Sequence, residues 1–184
     1  MSSIIAAFLS SLLISFIAIP SIIKAAQLKH LFDKPGTRTS HDSDIPTLGG
    51  IAIFAGFALS LNFWGDFSQL PEIQYILCAT MLMFFTGLKD DLIHLVAYKK
   101  LLSQIIAAII LITWGDIRLT SLYGIFGVYE ISYPVSFFLS LITIVGITNS
   151  FNLIDGVNTL AAGLGILISA TFGTWFYLHG FYQY

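Results

Sequence analysis

The chain has 184 residues, of which 57% are hydrophobic and 10% are charged, and its mean hydropathy is +0.87. Because soluble domains carry about 25% charged residues, the composition excludes an ordinary soluble domain and indicates a bilayer as the solvent. The net charge of −2 gives no support for nucleic-acid binding, and the single cysteine, Cys78, excludes a disulfide framework or a thiolate metal cluster.

Six apolar stretches predict an all-α, polytopic membrane helix bundle with about six transmembrane helices in one membrane-embedded domain, residues 1–184. The stretches are residues 1–23, 48–65, 73–88, 101–115, 131–154 and 156–184. A spanning helix needs about 20 residues, and four of the stretches satisfy this. The third and fourth are short, so their helices must extend into the neighbouring polar segments. The first lacks a basic n-region and is interpreted as a retained helix, not a signal peptide.

The basic residues predict the orientation of these helices. With the N-terminus and the C-terminus outside, the polar loops at about 24–47, 89–100 and 149–159 face the cytoplasm. Seven of the eight basic residues then lie inside and only Arg118 lies outside; the inner ones are Lys24, Lys29, Lys34, Arg38, Lys89, Lys99 and Lys100. The distribution predicts a multi-pass protein of the cytoplasmic membrane.

The first inner loop carries three cationic or titratable side chains, Lys34, Arg38 and His41, after the helix-ending pair Pro35-Gly36. Lysine and arginine supply charge-assisted donors to phosphate. Gly49-Gly50 would allow a backbone or a ligand to approach closely at the start of the second helix. The alternative is a solvated connector whose basic residues only set the topology, and this loop taken alone favours that alternative.

The second inner segment contains the adjacent acids Asp90 and Asp91, followed by Lys99-Lys100. Adjacent carboxylates repel each other unless a cation relieves the pair, and magnesium takes one or two protein carboxylates together with water and substrate phosphates. Both acids are expected at the carboxyl end of a helix, near the membrane surface, where uncompensated charge is costly. In the alternative, one of them caps a helix that begins near Leu92.

The outer segment that follows, residues 116–133, mixes glycine, tyrosine and β-branched residues. This pattern predicts an irregular or hairpin-like cap at the membrane surface.

The third inner segment places Asn149, Asn152 and Asp155 within an arc of about 120° on a helix, so they predict one polar stripe. Polar residues at this depth face a cavity or a partner helix. In the alternative the asparagines join helices, Gly156 ends the fifth helix and Asn158 caps the sixth. Spacing alone leaves both interpretations open.

Three motifs in this order resemble the polyprenyl-phosphate N-acetylhexosamine-1-phosphate transferases of glycosyltransferase family 4. The first two are Asp33-Lys34-Pro35 with Arg38, His41, Pro46 and Gly49-Gly50, then Asp90-Asp91 with Lys100 and Gln104. The third is Asn149-x-x-Asn152-x-x-Asp155-Gly156 with Ala162-Gly163. The resemblance covers about residues 28–165, and the run Asp-x-x-Pro-Thr-Leu-Gly-Gly is more similar to the N-acetylglucosamine branch than to the muramoyl-pentapeptide branch.

The resemblance implies an enzyme with a cytoplasmic active site that initiates a cell-envelope glycan. A UDP-N-acetylhexosamine, expected to be UDP-N-acetylglucosamine, and a polyprenyl (undecaprenyl) phosphate would yield a polyprenyl-diphosphate sugar and UMP. The implied cofactor is Mg²⁺, with Mn²⁺ as an alternative, and a homodimer is left open.

Site roles follow residue by residue from the same resemblance. Asp90 and Asp91 would be the catalytic acids, and Asp90, Asp91 and Asp155 the metal ligands. Substrate-binding residues would be Lys34, Arg38, His41, Lys100, Asn149, Asn152 and Asp155.

The sequence departs from the family in two respects. Family members continue Asp-Gly-x-Asp-Gly, whereas this chain has Asn158 in place of the second acid, which removes one possible metal or base contact. The family also has a further aspartate motif and a histidine-rich loop downstream, so we expect this chain to be the N-terminal part of a longer transferase. Turnover by these 184 residues alone is left open. The rival hypotheses are half of a membrane transporter and a non-catalytic membrane subunit.

Overall fold

The computed structural model describes residues 2–33, 45–46, 48–68, 70–154 and 159–181. Its helices are α1 (Ser2–Leu28), α2 (Gly49–Trp64), α3 (Ile73–Leu92), α4 (Ala97–Thr113), α5 (Tyr133–Ile154) and α6 (Leu160–Leu178). Within the described ranges, the remaining regular structure is a 3₁₀ turn and two strands of two residues each, β1 (Phe32–Asp33) and β2 (Ile45–Pro46). The strands pair antiparallel, with Phe32 opposite Pro46. The prediction of an all-α protein with six helices is confirmed.

Three helices of the described chain, α1, α5 and α6, are long and apolar enough to cross a bilayer. Large apolar side chains are exposed along them, for example Phe16, Phe138 and Ile166. Lipid is the medium in which such a surface is stable, because exposed apolar patches of this extent are rare on soluble monomers. The chain is therefore a membrane protein.

The other three helices show where the length predictions were right and where they were wrong. Helix α3 continues past the last apolar residue, Leu88, through both aspartates, and α4 includes Lys99 and Lys100 in its first turn. The predicted extension into polar segments is thus confirmed. Helix α2 has only 16 residues, about 24 Å at 1.5 Å per residue. The prediction that this stretch is comfortably long enough to span was wrong, because Leu48 and Gly65 lie outside the helix.

Helices α1 and α2 pack through small side chains. Ala52, Gly56 and Ser60 recur every fourth residue on α2, and all three are buried. The Oγ atoms of Ser10 and Ser60 lie 3.0 Å apart, and the Ser15 hydroxyl donates to the Ala52 carbonyl oxygen at 3.3 Å. Small residues at this spacing let helix backbones approach closely, and van der Waals packing then stabilises the pair where water is absent.

Helix α4 lies between α3 and α5 and supplies much of the buried interior. Its buried residues are Ser103, Gln104, Ala107, Ala108 and Ile112. A stacked ring pair, Phe54 and Phe84 with centroids 4.0 Å apart, joins α2 to α3. No described residue of α6 is buried, so α6 contributes little to this interior.

The segment between α4 and α5 forms a hairpin, as the sequence predicted. Ser121 and Glu130 form an antiparallel bridge, and the amide of Ile131 donates to the Thr120 carbonyl at 3.1 Å. Closer to the tip, the Leu122 amide donates to the Tyr129 carbonyl at 3.3 Å. We call residues 119–131 the α4–α5 hairpin.

Replacing Gly56 with leucine should destabilise the α1–α2 contact. A Cβ atom at this position would meet the Ser15 Oγ and lie 2.7 Å from the Ser11 carbonyl oxygen, and overpacking costs about 1–3 kcal/mol. We expect the melting temperature in detergent to fall by about 2–12 °C, since 1 kcal/mol corresponds to about 2–4 °C at this size. Gly146→Leu is the control, because nothing lies within 4 Å of that position on α5. Equal effects of the two variants would contradict the packing described here.

Candidate active site

The second polar segment singled out in the sequence lies where α3 ends and α4 begins, and the described part of the third lies at the end of α5. A connection of four residues, 93–96, joins the end of α3 to the start of α4, and α4 packs on α5. Because α5 enters from the opposite end through the long hairpin, its last turn lies at the same end of the bundle as the α3–α4 connection. The candidate site is this end, built around Asp90, Asp91 and Lys100.

Asp90 ties the end of α3 to the start of α4. Lys100 Nζ lies 2.6 Å from Asp90 Oδ2, and the Leu95 amide donates to Asp90 Oδ1 at 2.8 Å. Both charged side chains are about 30% exposed, at 31% and 29%. The ammonium and the amide compensate a carboxylate at a helix carboxyl end, where the helix dipole disfavours negative charge.

The alternative in which an aspartate caps a helix beginning near Leu92 was wrong. Helix α4 begins at Ala97, with Val96 at its N-cap and no side-chain cap. Asp90 instead accepts a hydrogen bond from the Leu95 amide, so it fixes the connection that precedes the helix.

Asp90 lies beyond the apolar part of α3, and its surroundings favour the ionised form. Burial raises its pKa, but hydrogen bonds from Lys100 and from the Leu95 amide, with the nearby charges of Lys100 and His94, outweigh burial. The net result is a pKa below the ordinary 3.8, so Asp90 is a carboxylate at neutral pH.

Asp91 faces a different neighbour. It lines an open cleft of about 190 Å³ between α2 and α3, together with Gly50, Ile51, Phe84, Gly87 and Leu88. Successive helix residues point about 100° apart, so the neighbouring acids serve different surfaces of α3. The cleft combines an apolar wall with one carboxylate at the end of the bundle.

The cleft is open beside its two glycines. A Cβ built at Gly50 or at Gly87 would have no neighbour within 4 Å. The sequence predicted that Gly49-Gly50 permits close approach of a backbone or a ligand. No described backbone makes that approach, and the open side of the cleft leaves room for a ligand.

Asn149 and Asn152 lie on the last turns of α5, and both are exposed. Three residues apart, they share one face of the helix. Within the described ranges, no hydrogen bond or ion pair joins either amide to Asp90 or Lys100. The helix ends at Ile154, and α6 follows Thr159 as its N-cap.

Part of the predicted site lies outside the described residues. These positions are Lys34, Arg38, His41 and Asp155, together with Gly156 and Asn158 of the third segment. Within the described part of the chain, no three His, Cys, Asp or Glu side chains come together as a metal cluster.

Two contributors to the site were missed in the sequence. His94 is exposed, yet its charge helps to lower the pKa of Asp90. The Leu95 amide could not be found from side-chain patterns, because every residue except proline supplies such a donor. The proximity of His94 to an acid pair was the available signal.

The chain is similar to known proteins over most of its length. The pattern of the family described as glycosyl transferase family 4 matches residues 73–184. A Salmonella typhi protein named undecaprenyl-phosphate alpha-N-acetylglucosaminyl 1-phosphate transferase is 32% identical over 180 residues, covering 96% of this chain and 47% of that protein. The protein of the same name from Escherichia coli K12 is 32% identical over 83% of this chain and 42% of its own length.

A Bacillus subtilis relative named probable undecaprenyl-phosphate N-acetylglucosaminyl 1-phosphate transferase is 33% identical over 91% of this chain and 46% of its own length. The chain thus spans about half the length of the curated relatives it matches. No solved structure matches the chain.

The Asp90–Lys100 ion pair should show coupling in a double-mutant cycle. We expect Asp90→Asn to lower the melting temperature less in a Lys100→Met background than in the wild type. Because the pair is partly exposed, its coupling is about 0.2–1 kcal/mol and weakens with added salt. The measurement is thermal unfolding of the four proteins in detergent at low and high salt. Additive effects at low salt would contradict the ion pair.

Proposed function

The chain belongs to glycosyl transferase family 4, and on this premise we propose that it forms part of a polyprenyl-phosphate N-acetylhexosamine-1-phosphate transferase. The reaction is transfer of N-acetylglucosamine 1-phosphate from a UDP-sugar to undecaprenyl phosphate, which initiates a cell-envelope glycan. The relatives' names support this substrate pair. Because the chain spans about half of those relatives, the activity is proposed for the whole protein that contains it.

The proposed chemistry is a phosphoryl transfer in which one bond to phosphorus forms and another breaks. An oxygen of the lipid phosphate attacks the phosphorus that carries the sugar. The bond from that phosphorus to the oxygen shared with the nucleoside phosphate breaks, and UMP leaves with the bonding electron pair. Such reactions depend on positioning and on neutralising phosphate charge. A bilayer surface suits both substrates, because one is anchored in lipid and the other is soluble.

The observation that carries the proposal is the arrangement of Asp90, Asp91 and Lys100. An ammonium offers three donors, and Asp90 takes one of those of Lys100. The remaining donors can bind a substrate phosphate while the ion pair holds the side chain in place. Asp91 lies in the cleft between α2 and α3, where a lipid phosphate can approach from the membrane.

The donor set fits Mg²⁺, with Mn²⁺ as the alternative. Magnesium keeps several waters and takes one or two protein carboxylates plus substrate phosphates, so a cluster of three acidic side chains is not required. Asp91, at the open cleft, would hold the ion, with Asp155 as a further proposed ligand, whereas Asp90 would hold Lys100 on the neighbouring surface of α3. The bound cation would neutralise diphosphate charge and polarise the phosphoryl oxygens.

The remaining residues have proposed binding roles. Lys34, Arg38 and His41 would contact the phosphates from the first polar loop. Asn149, Asn152 and Asp155 would form part of the nucleotide pocket at the end of α5. The polar loops would face the cytoplasm, where UDP-sugars are available, with the N-terminus outside.

The transporter alternative finds less support in the charge distribution. Among the described residues, the charged side chains of the helices lie near helix ends: Lys24, Lys89, Asp90, Asp91, Lys99 and Lys100. A transport path needs polar groups partway through the bilayer.

In the whole protein, Asp90→Asn and Asp91→Asn should each reduce UMP release by at least about 100-fold, the scale of a lost catalytic group. The assay supplies UDP-N-acetylglucosamine and undecaprenyl phosphate to purified protein in detergent. Asp66→Asn is the matched control, because this acid lies in the α2–α3 connection at the opposite end of the bundle, and it should keep the wild-type rate. Wild-type rates in both site variants would refute the proposal.

A flux assay distinguishes the transporter alternative. Sealed vesicles containing the protein should release UMP only when undecaprenyl phosphate is present, with no uptake of labelled sugar nucleotide. Uptake without UMP release would favour a transporter. Full activity after loss of all three motifs would indicate a non-catalytic subunit.

Removal of divalent cations should abolish UMP release, and Mg²⁺ should restore it. The Asp91→Asn variant should need a higher Mg²⁺ concentration for half of its own maximal rate, because one carboxylate ligand is lost. Titration of Mg²⁺ into chelator-treated wild type and variant measures this. Undiminished release in excess chelator would exclude the metal role.

The proposed orientation can be tested with a membrane-impermeant maleimide. In a background with every native cysteine, Cys78 included, replaced by alanine, Ser68→Cys should be labelled in intact cells, whereas His94→Cys should be labelled only after permeabilisation. Both positions are exposed and lie at opposite ends of α3. The reverse labelling pattern would invert the topology.

A further inference from the structure

The tip of the α4–α5 hairpin carries the two most exposed large apolar side chains of the described residues. Phe126 is 95% exposed and Tyr123 is 89% exposed, compared with 81% for Phe63, the next highest. Ile125 and Tyr129 beside them are also exposed. We call residues Tyr123 to Phe126 the aromatic tip. It lies at the end of the bundle opposite Asp90, and the proposed reaction does not use it.

Both aromatic residues of the tip have a left-handed backbone conformation. Tyr123 and Phe126 have positive φ angles of 51° and 56°, and the following Gly124 and Gly127 have φ of 87° and 75°. A left-handed conformation costs a residue with a side chain about 1–2 kcal/mol. Bulky residues in this region are unusual, and such strain persists only where surrounding structure holds it. Here the Gly124 amide donates to the Val128 carbonyl at 3.0 Å, which closes the tip.

The base of the hairpin is fixed to α5. Arg118 Nε lies 2.6 Å from Asp116 Oδ1, and its Nη1 donates to Ser136 Oγ at 3.1 Å. The Leu119 amide donates to Ser140 Oγ at 2.8 Å. Ser136 and Ser140 are both buried. The tip is therefore presented from an anchored base.

The position of that base indicates the surrounding medium. Trp114 follows the last residue of α4 and Tyr133 is the first residue of α5, which is long and apolar enough to span the bilayer. Tryptophan and tyrosine at helix ends mark the membrane–water interface. Residues 119–131 include one charged side chain, Glu130, and no lysine or arginine. A charge-poor aromatic surface at this level matches the headgroup region of a neutral bilayer.

We propose that the aromatic tip, Tyr123 to Phe126, inserts into the headgroup region of the leaflet opposite the candidate active site. Tyrosine and phenylalanine place their rings among the lipid glycerol and upper acyl groups, where apolar burial offsets the backbone strain. Binding needs no anionic lipid, because the hairpin offers no cationic side chain. The hairpin thus fixes the level of the α4–α5 pair in the membrane.

A fluorescent probe measures the surroundings of the tip without removing its rings. In the whole protein with every native cysteine, Cys78 included, replaced by alanine, Ile125→Cys is labelled with an environment-sensitive nitrobenzoxadiazole dye and reconstituted in neutral phosphatidylcholine vesicles. Ser68→Cys, exposed in the α2–α3 connection at the same end of the bundle, is the matched control. We expect at least twofold stronger quenching by headgroup-nitroxide lipid at position 125 than at position 68, and weaker quenching by iodide.

Each other outcome overturns the proposal. Strong iodide quenching with little lipid quenching would place the tip in water. Protection from both quenchers would mean that a protein surface covers it, from the same chain or a second copy. A Tyr123→Ser, Phe126→Ser double variant of the labelled protein should lose most of its lipid quenching; unchanged quenching would show that the rings do not insert. None of these readouts requires enzyme activity, so they are independent of the proposed reaction.

Discussion

The hydrocarbon core of a bilayer offers backbone groups no water with which to form hydrogen bonds, and the rest of this structure depends on that constraint. Helices satisfy their own amides and carbonyls, which is why the apolar stretches are helical and why the charged residues described in them gather at their ends. Contact between helices then relies on close approach. The hydroxyls of Ser10, Ser15 and Ser60, with Gly56 between them, provide it for α1 and α2.

The same constraint concentrates the chemistry at one end of the bundle. Helix α3 continues past its apolar part, so both aspartates arrive on rigid helix backbone rather than on a free loop. Their consecutive positions send Asp90 towards α4 and Asp91 towards α2. The Asp90 carboxylate therefore holds the Lys100 ammonium in place, and the Asp91 carboxylate lines the cleft between α2 and α3.

The number of helices, the extension of α3 and α4 into polar sequence, and the hairpin between α4 and α5 could be predicted, since each rests on local composition and spacing. The length of α2 could not, because Leu48 and Gly65 are compatible with a helix but adopt other backbone conformations. At the site, the sequence identified Asp90, Asp91 and Lys100 as important. It could not assign their directions, because these depend on where α4 begins and on which helix packs beside α3.

The geometry at residues 93–96 restricts how many residues this connection can contain. It holds Asp90 against the Leu95 amide on one side and against Lys100 on the other. One inserted residue would add up to about 3.3–3.6 Å of chain to this connection, which would shift Lys100 away from Asp90. Apart from His94, whose charge helps to lower the pKa of Asp90, side chains in the connection can vary with little effect, whereas an insertion or deletion would separate the ion pair. Across related sequences, the number of residues between Asp91 and Lys100 should therefore vary less than the types of those residues.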